Sequence, residues 1–325
     1  MAERPRVLVT SWLVQEDDSA LEVLRAAGCE VVMARTPRPR TAEQMIEALA
    51  DVDGVIAGSD NYSAAVIGST DRLKVIVRVG VGYDTVDTAA ATARGIQVGT
   101  TPGTNHHAVA DYAFGLVLAL ARNIVPHHVT TAAGQWTRLP GPDVWGKTIG
   151  ILGAGAIGKG VGRRARGFDM TILAHDVAQD AEWAGRTEVA YVEVDELLGR
   201  SDFVTLHAPL LPSTRGLINA ERLALMKPSS YLVNTARGEL VDLDALAAAL
   251  AAGRLAGAAI DVFPKEPPPA DHPILRAPNV ILSPHAAGLS IEANTAASRM
   301  ACQSVAAALA GGRVAHCVNP EVFGG

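Results

Sequence analysis

Thr148-Ile-Gly-Ile-Leu-Gly-Ala-Gly-Ala-Ile-Gly158 carries the strongest structural signal in the chain. An apolar, β-prone run from Thr148 to Leu152 leads directly into Gly153, Gly155 and Gly158, and a helix-compatible segment follows. The G-x-G-x-x-G spacing has a mechanical reason. The first glycine permits a tight strand-to-helix turn, the second lets the backbone approach a pyrophosphate, and the third lets the helix pack closely on the strand. The helix N-terminus then points free N–H groups at the phosphates. A Gly-rich turn with a solvated acid after it would share part of this pattern. Here a second strand, Met170 to Ala174, ends in His175-Asp176. An acidic residue at that remove from the glycines is the expected partner of an adenosine ribose hydroxyl, so the stretch reads as a dinucleotide site.

Outward from this unit the chain alternates strands and helices. Upstream, strands are expected at Val7–Thr10, Val31–Ala34, Gly54–Ala57 and Lys74–Val79. Helices are expected over 19–27, 41–50, 64–67 and 86–93. Downstream, strands fall at Phe203–Leu206, Tyr231–Asn234, Ala258–Val262 and Val280–Leu282, with helices over 194–199, 220–226 and 242–252. Repeated βα alternation implies parallel sheets covered on both faces. The expectation is therefore α/β, with two doubly wound parallel-sheet domains. Residues 1–101 and 288–325 form one domain, and 102–287 form the dinucleotide-binding domain. A helix over about 290–310 carries the chain back.

The 325 residues suffice for two cores. Apolar residues make up 49% and charged residues 19%, and 28 Lys+Arg against 34 Asp+Glu leave a net charge of −6. That balance argues against broad nucleic-acid or anionic-membrane binding. Cys29, Cys302 and Cys317 fit no metal-ligand spacing and read as free thiols of a reducing compartment, hence a cytoplasmic protein. No leader core and no apolar run of membrane-spanning length stands out. The pairs His106-His107 and His127-His128 lack helical metal spacing and are taken as interface or solvent residues, so no metal is expected. The helix 106–122 is apolar on most faces, with Val109, Ala113, Leu116, Val117 and Leu120 at helical spacing. Such a helix must be buried nearly all round. We expect a homodimer through it, the alternative being burial within one chain.

Several polar groups stand just beyond strands, at the edge where such sheets take ligands. Arg237, in Asn234-Thr-Ala-Arg-Gly238, suits a two-pronged grip on a carboxylate. Glu266 lies in a proline-stiffened loop, and His285 in Ser283-Pro-His-Ala-Ala-Gly288. A histidine oriented by a carboxylate has a fixed tautomer and a favoured imidazolium, which makes a general acid/base. Gly80-Val81-Gly82 follows a strand too; its uncovered amides could dock a small carboxylate. A plain turn before helix 86–93 explains the same residues, and local sequence does not separate the two.

Taken in order, the blocks Val79-Gly-Val-Gly-Tyr-Asp84, Thr101-Pro-Gly-Thr-Asn105, the glycine fingerprint, His207-Ala-Pro-Leu210, Asn234–Gly238, Asp261-Val-Phe263, Glu266-Pro267 and Ser283-Pro-His285 span nearly the whole chain. In that combination the sequence resembles the D-isomer-specific 2-hydroxyacid dehydrogenase family. The resemblance implies a Rossmann-type cofactor domain inserted into a flavodoxin-like substrate domain. It also implies NAD as cofactor and interconversion of a small D-2-hydroxy acid with its 2-keto acid. By resemblance Arg237 anchors the substrate carboxylate, His285 is the acid/base and Glu266 its partner. Gly153, Gly155, Ala156, Ile157, Gly158, Asp176, His207, Ala208, Pro209, Thr214, Thr235, Ala236, Asp261 and Gly288 would line the cofactor together with Arg237 and His285, with Asp261 on the nicotinamide amide. Val79, Gly80, Val81, Gly82 and Asn105 would meet the substrate.

The chain departs from phosphoglycerate dehydrogenases of this family in three places. With its end near residue 325, it is expected to lack their C-terminal regulatory domain. It carries Gly58 where they resemble an Arg-Ser pair, which puts a contact to a 3-phosphate in question, and Val81 where they often show Thr. 3-Phosphoglycerate, glyoxylate or hydroxypyruvate, and phosphite all remain as substrates, and a non-enzymatic NAD-sensing corepressor is the rival from another class. In the fingerprint region, Asp176 should favour NAD over NADP. The residues after it, Val177-Ala-Gln-Asp180, bring no cation to neutralise a 2′-phosphate and add a second acid.

Overall fold

In the computed structural model, residues 4–36 and 39–324 are described, and the chain divides into two compact units. The first comprises residues 1–105 and 290–325, the second 106–289. The crossings thus lie a few residues beyond the positions read from the sequence.

The first unit contains β1 (Arg6–Val9), α1 (Leu21–Ala26), β2 (Glu30–Met33), α2 (Ala42–Leu49), β3 (Gly54–Ala57), α3 (Ala64–Gly68), β4 (Val75–Arg78), α4 (Thr88–Ala93) and β5 (Gln97–Gly99). Its sheet runs β2-β1-β3-β4-β5, every pair parallel. Alternate residues supply opposite faces: Val7, Val9 and Ile56 join one core, Leu8, Val55 and Ala57 the other. Both faces are covered, as the continuous apolar strands require.

The second unit opens with α5 (His106–Ala121) and α6 (Ile124–Ala132). There follow β6 (Thr148–Leu152), α7 (Ala156–Arg166), β7 (Thr171–His175), α8 (Ala181–Thr187), β8 (Ala190–Tyr191), α9 (Val194–Arg200) and β9 (Phe203–Leu206). The unit closes with α10 (Ala220–Leu225), β10 (Tyr231–Asn234), α11 (Leu243–Ala251), β11 (Gly257–Ile260) and β12 (Val280–Leu282). The sheet order is β12-β11-β10-β9-β6-β7-β8, all parallel. The order reverses between β6 and β9, where doubly wound sheets take their ligands. Ile149 and Ile151 face one core of this unit and Leu152 the other. Beyond the second unit, α12 (Ile291–Leu309) packs on α1, β3 and β4 of the first.

Four elements have no counterpart in the sequence reading. β5 and β8 are three and two residues long, too short for alternation to register. α6 holds two histidines and Pro126 and buries no residue, so it has no apolar stripe. α8 is held by the Asp180 cap, whose carboxylate accepts from the Trp183 amide at 2.8 Å. The apolar side of α5 is explained within one chain. Val109, Ala113, Leu116, Val117 and Leu120 are buried, and the helix packs on α7, β10 and β11. These residues therefore no longer argue for a partner subunit. No single helix among the described residues is long and apolar enough to cross a membrane.

Candidate active site

Because the second sheet is parallel throughout, every loop after a strand opens on the same edge. Gly153 follows β6, Asp176 follows β7, His207 follows β9, Thr235 follows β10, Asp261 follows β11 and Ser283 follows β12. Six adjacent strands thus deliver their successor residues side by side, which is how residues 130 positions apart come to share one edge.

The glycine turn is shaped for a ligand's backbone approach. Gly153 has φ +96°, and a Cβ there would stand 2.5 Å from the Ala208 nitrogen. At Gly158 a Cβ would fall 2.1 Å from the Gly153 oxygen, so only glycine lets α7 start against β6. A Cβ on Gly155, by contrast, meets nothing within 4 Å. Its bareness is not explained by packing, and it caps α7 with no side-chain hydrogen bond. Open space before the amides of Ala156 and Ile157 is the cradle a pyrophosphate needs. Asp176 closes the cradle: its oxygens accept from the amides of Ala154 at 2.7 Å and Ala178 at 2.9 Å. Each oxygen keeps a second lone pair for a ribose hydroxyl. Deeper on the edge, Thr235 Oγ1 and His207 Nδ1 are buried with no hydrogen-bond partner among the described residues. The residues present fit NAD.

One expectation about this cradle is corrected. Asp180 does not stand unneutralised, because Lys159 of α7 reaches it at 2.5 Å. That hydrogen bond, with the Trp183 amide, holds the Asp180 carboxyl below the usual range. Lys159 lies 21 residues away in sequence, so inspection of the residues following Asp176 could not reveal it.

His285 and Glu266 meet as expected. His285 Nδ1 lies 2.8 Å from Glu266 Oε2. An ionised carboxylate only accepts, so Nδ1 carries the proton and Nε2 is left for another partner. Burial acts to raise the Glu266 carboxyl. The hydrogen bond and charge of His285, the Phe263 amide at 3.1 Å and the charge of Arg237 outweigh it and hold the group below its ordinary value. Glu266 is therefore an anion at neutral pH. His207, the other histidine of this edge, bonds Thr205 Oγ1 at 2.9 Å, and burial pushes its imidazole down to about 3. It stays neutral and cannot share the proton chemistry of His285.

Arg237 is presented by a loop knotted on Asn234. The Asn234 amide donates to the Arg237 carbonyl at 2.8 Å, and its oxygen accepts from the Ala236 amide at 3.0 Å. At Gly238 the Phe263–Pro264 backbone comes so close that a Cβ would stand 2.1 Å from the Phe263 carbonyl carbon. This contact joins the arginine loop to the loop carrying Glu266. Thr214 ties its own loop together, accepting from the Leu211 amide at 2.8 Å and donating to the Pro209 carbonyl at 2.7 Å. Gly288 lies just past the His285 loop.

In the first unit, the turn after β4 is tied to its surroundings at Gly80 and Gly82. The Gly80 amide donates to Thr101 Oγ1 at 2.7 Å, so it is spent within the protein and is not a ligand donor. The Gly82 carbonyl accepts from Arg78 Nε at 3.2 Å. The turn is pinned at both ends, with the Val81 side chain exposed. Asn105 ends the segment that begins at Thr101, whose carbonyl accepts from Thr104 Oγ1 at 2.8 Å. Thr101 and Arg78 were not singled out in the sequence. Thr101 lies inside a quoted block, but its bond to Gly80 spans 21 residues.

A carboxylate-oriented imidazole on the same sheet edge as a dinucleotide cradle suits the proton partner of a hydride transfer, the chemistry of the class of nicotinamide-dependent dehydrogenases. Residues 114–287 match the model of the D-isomer specific 2-hydroxyacid dehydrogenase NAD binding domain. The chain is 39% identical to a glyoxylate reductase of Thermofilum pendens, covering 98% of this chain and 96% of that one. It is 39% identical to a D-3-phosphoglycerate dehydrogenase of Methanocaldococcus jannaschii, over 97% of this chain but 59% of that longer protein. Among solved structures, a glyoxylate reductase from Paecilomyes thermophila superimposes with a TM-score of 0.84 at 31% identity, covering 98% of this chain and 99% of that one. The chain belongs to the D-isomer specific 2-hydroxyacid dehydrogenase family, and NAD is its cofactor.

Proposed function

We propose that the protein reduces a small, unphosphorylated 2-keto acid of the glyoxylate or hydroxypyruvate type, and oxidises the matching D-2-hydroxy acid in reverse. The observation that carries the reading is the 2.8 Å contact between His285 Nδ1 and Glu266 Oε2. It leaves Nε2 to donate a proton to the keto oxygen in reduction and to take the hydroxyl proton in oxidation. When bound, the cofactor supplies or receives the hydride. Arg237 is assigned to the substrate carboxylate by a two-pronged contact. Positioning and this fixed positive charge supply most of the rate gain.

Substrate size is argued from Gly58, which brings no cation for a phosphate, and from the glyoxylate reductases among the relatives. The test is a spectrophotometric panel of 2-keto acids with NADH. The expected result is turnover of glyoxylate and hydroxypyruvate well above that of phosphohydroxypyruvate. Preference for the phosphorylated acid, or no turnover of any acid, would reject the reading; the second result would favour the corepressor-like alternative.

We assign the protein to the cytoplasm, supported by its three unpaired cysteines. We also infer a homodimer, now argued from α6 and the segment after it. Ile124, Val129, Trp136 and Trp145 are 53%, 58%, 79% and 69% exposed. Large apolar side chains left exposed within one segment support an interaction surface there.

A further inference from the structure

The backbone of His285 is left-handed, with φ +55°. A residue with a side chain stays there only where its surroundings over-determine it. One residue does so. Asp261, fully buried, takes four hydrogen bonds from the loop that carries His285. Its carbonyl accepts from the His285 amide at 2.7 Å. Its Oδ1 accepts from Ser283 Oγ at 2.5 Å and from the Ala286 amide at 2.9 Å. Its Oδ2 accepts from the Ala287 amide at 2.9 Å. Ser283 contributes the one side-chain donor among them, and its own amide is tied to the Ile260 carbonyl at 3.1 Å.

We propose that Ser283 is a positioning residue for proton transfer: its hydroxyl completes the Asp261 clamp that holds His285 left-handed and in register with Glu266. The physical case rests on direction. The two loop amides bind Asp261 from beyond His285, and Ser283 binds it from before, so the histidine is stapled on both sides to one immobile carboxylate. Without the hydroxyl, Oδ1 keeps the Ala286 amide alone and the N-terminal side of the loop is held only by backbone bonds. The imidazole then loses its fixed angle towards Glu266, not its presence. A short, charge-assisted hydroxyl–carboxylate bond is strong enough for this to matter.

The inference rests on the acid/base assignment of His285, and the experiment separates the two. Ser283→Ala, Ser283→Thr and His285→Ala are compared by steady-state reduction of glyoxylate or hydroxypyruvate and by fluorescence titration of NADH. Misplacement of a proton donor should lower kcat of Ser283→Ala about 10- to 100-fold. KM should stay within about twofold because the arginine loop does not depend on Ser283, and the NADH Kd should stay within about twofold because Asp261 keeps its place through the Ala286 and Ala287 amides. Ser283→Thr, which keeps the hydroxyl, should recover most of the lost kcat. Wild-type kcat in Ser283→Ala beside an inactive His285→Ala overturns the positioning role and leaves the acid/base assignment standing. Retained turnover in His285→Ala overturns both. Equal losses in Ala and Thr variants, with NADH binding weakened in step, would show that position 283 serves only folding and would likewise overturn the proposal.

Discussion

At the scale of single residues, chemistry at this site depends on which atoms are already committed. Glu266 is committed to the Phe263 amide and to His285, so replacing it should affect turnover more than binding. In Glu266→Gln the imidazole loses the charged acceptor that fixes its Nδ1 proton, and kcat for keto-acid reduction should fall about 10-fold or more with the NADH Kd unchanged. Wild-type kcat in this variant would refute the pairing. His285→Ala should keep NADH binding but lose about 10²–10⁴-fold in kcat. Asp176 is committed to two amides yet retains acceptor capacity, whereas Asp180 is already satisfied by Lys159. Cofactor choice should therefore rest on Asp176 alone. NADH should be preferred over NADPH by about 30-fold or more. Asp176→Ser should erode the preference, and Asp180→Asn should leave it nearly intact. A large effect of Asp180→Asn would place its charge against the ribose after all.

At the scale of elements, the strand starts opposite the site are tied by one carboxylate. Asp202 accepts from the Thr148 amide at 2.9 Å and from Lys227 at 2.8 Å. Its backbone also bonds Thr148 and Tyr231, so β6, β9 and β10 begin in register. Burial acts to raise its carboxyl, but the bond and charge of Lys227 and the Thr148 amide prevail and hold it below the usual range. The sign follows: a carboxyl lowered on folding stabilises above its unfolded value of about 3.9, and that stability is lost as pH falls through the folded value. Asp202→Asn should lower Tm by about 2–4 °C at pH 7. The gap between variant and wild type should shrink on acidification below about pH 4. A gap independent of pH, followed by calorimetry, would show that the carboxylate's charge is not what matters.

At the scale of the whole molecule, the proposed homodimer takes the exposed tryptophans and aliphatics after α5 as its contact surface. Stable dimers bury about 1,200–2,000 Å² in total, and an arm with Trp136 and Trp145 largely exposed supplies the anchors such an interface uses. Light scattering at micromolar concentration should give twice the chain mass, and Trp136→Asp should shift it towards the monomer. A monomeric wild-type protein would end this expectation.

What the sequence by itself determined is what local spacing encodes. The apolar alternation of Val7–Val9 and Ile149–Leu152 marks two-faced buried strands, and the three glycines mark the turn into α7. The Asp at the end of β7 and the polar residues after β10, β11 and β12 mark the ligand edge, because parallel strands must all open to one side. Family resemblance named the roles. The tertiary structure alone decided which of these atoms are free. Lys159 cancels Asp180, Thr101 takes the Gly80 amide, and Asp261 binds the loop of Ser283 and His285. Each of these contacts joins residues 20 or so positions apart. No periodicity reaches across such loops; only the packing of adjacent strands brings their ends within hydrogen-bond distance.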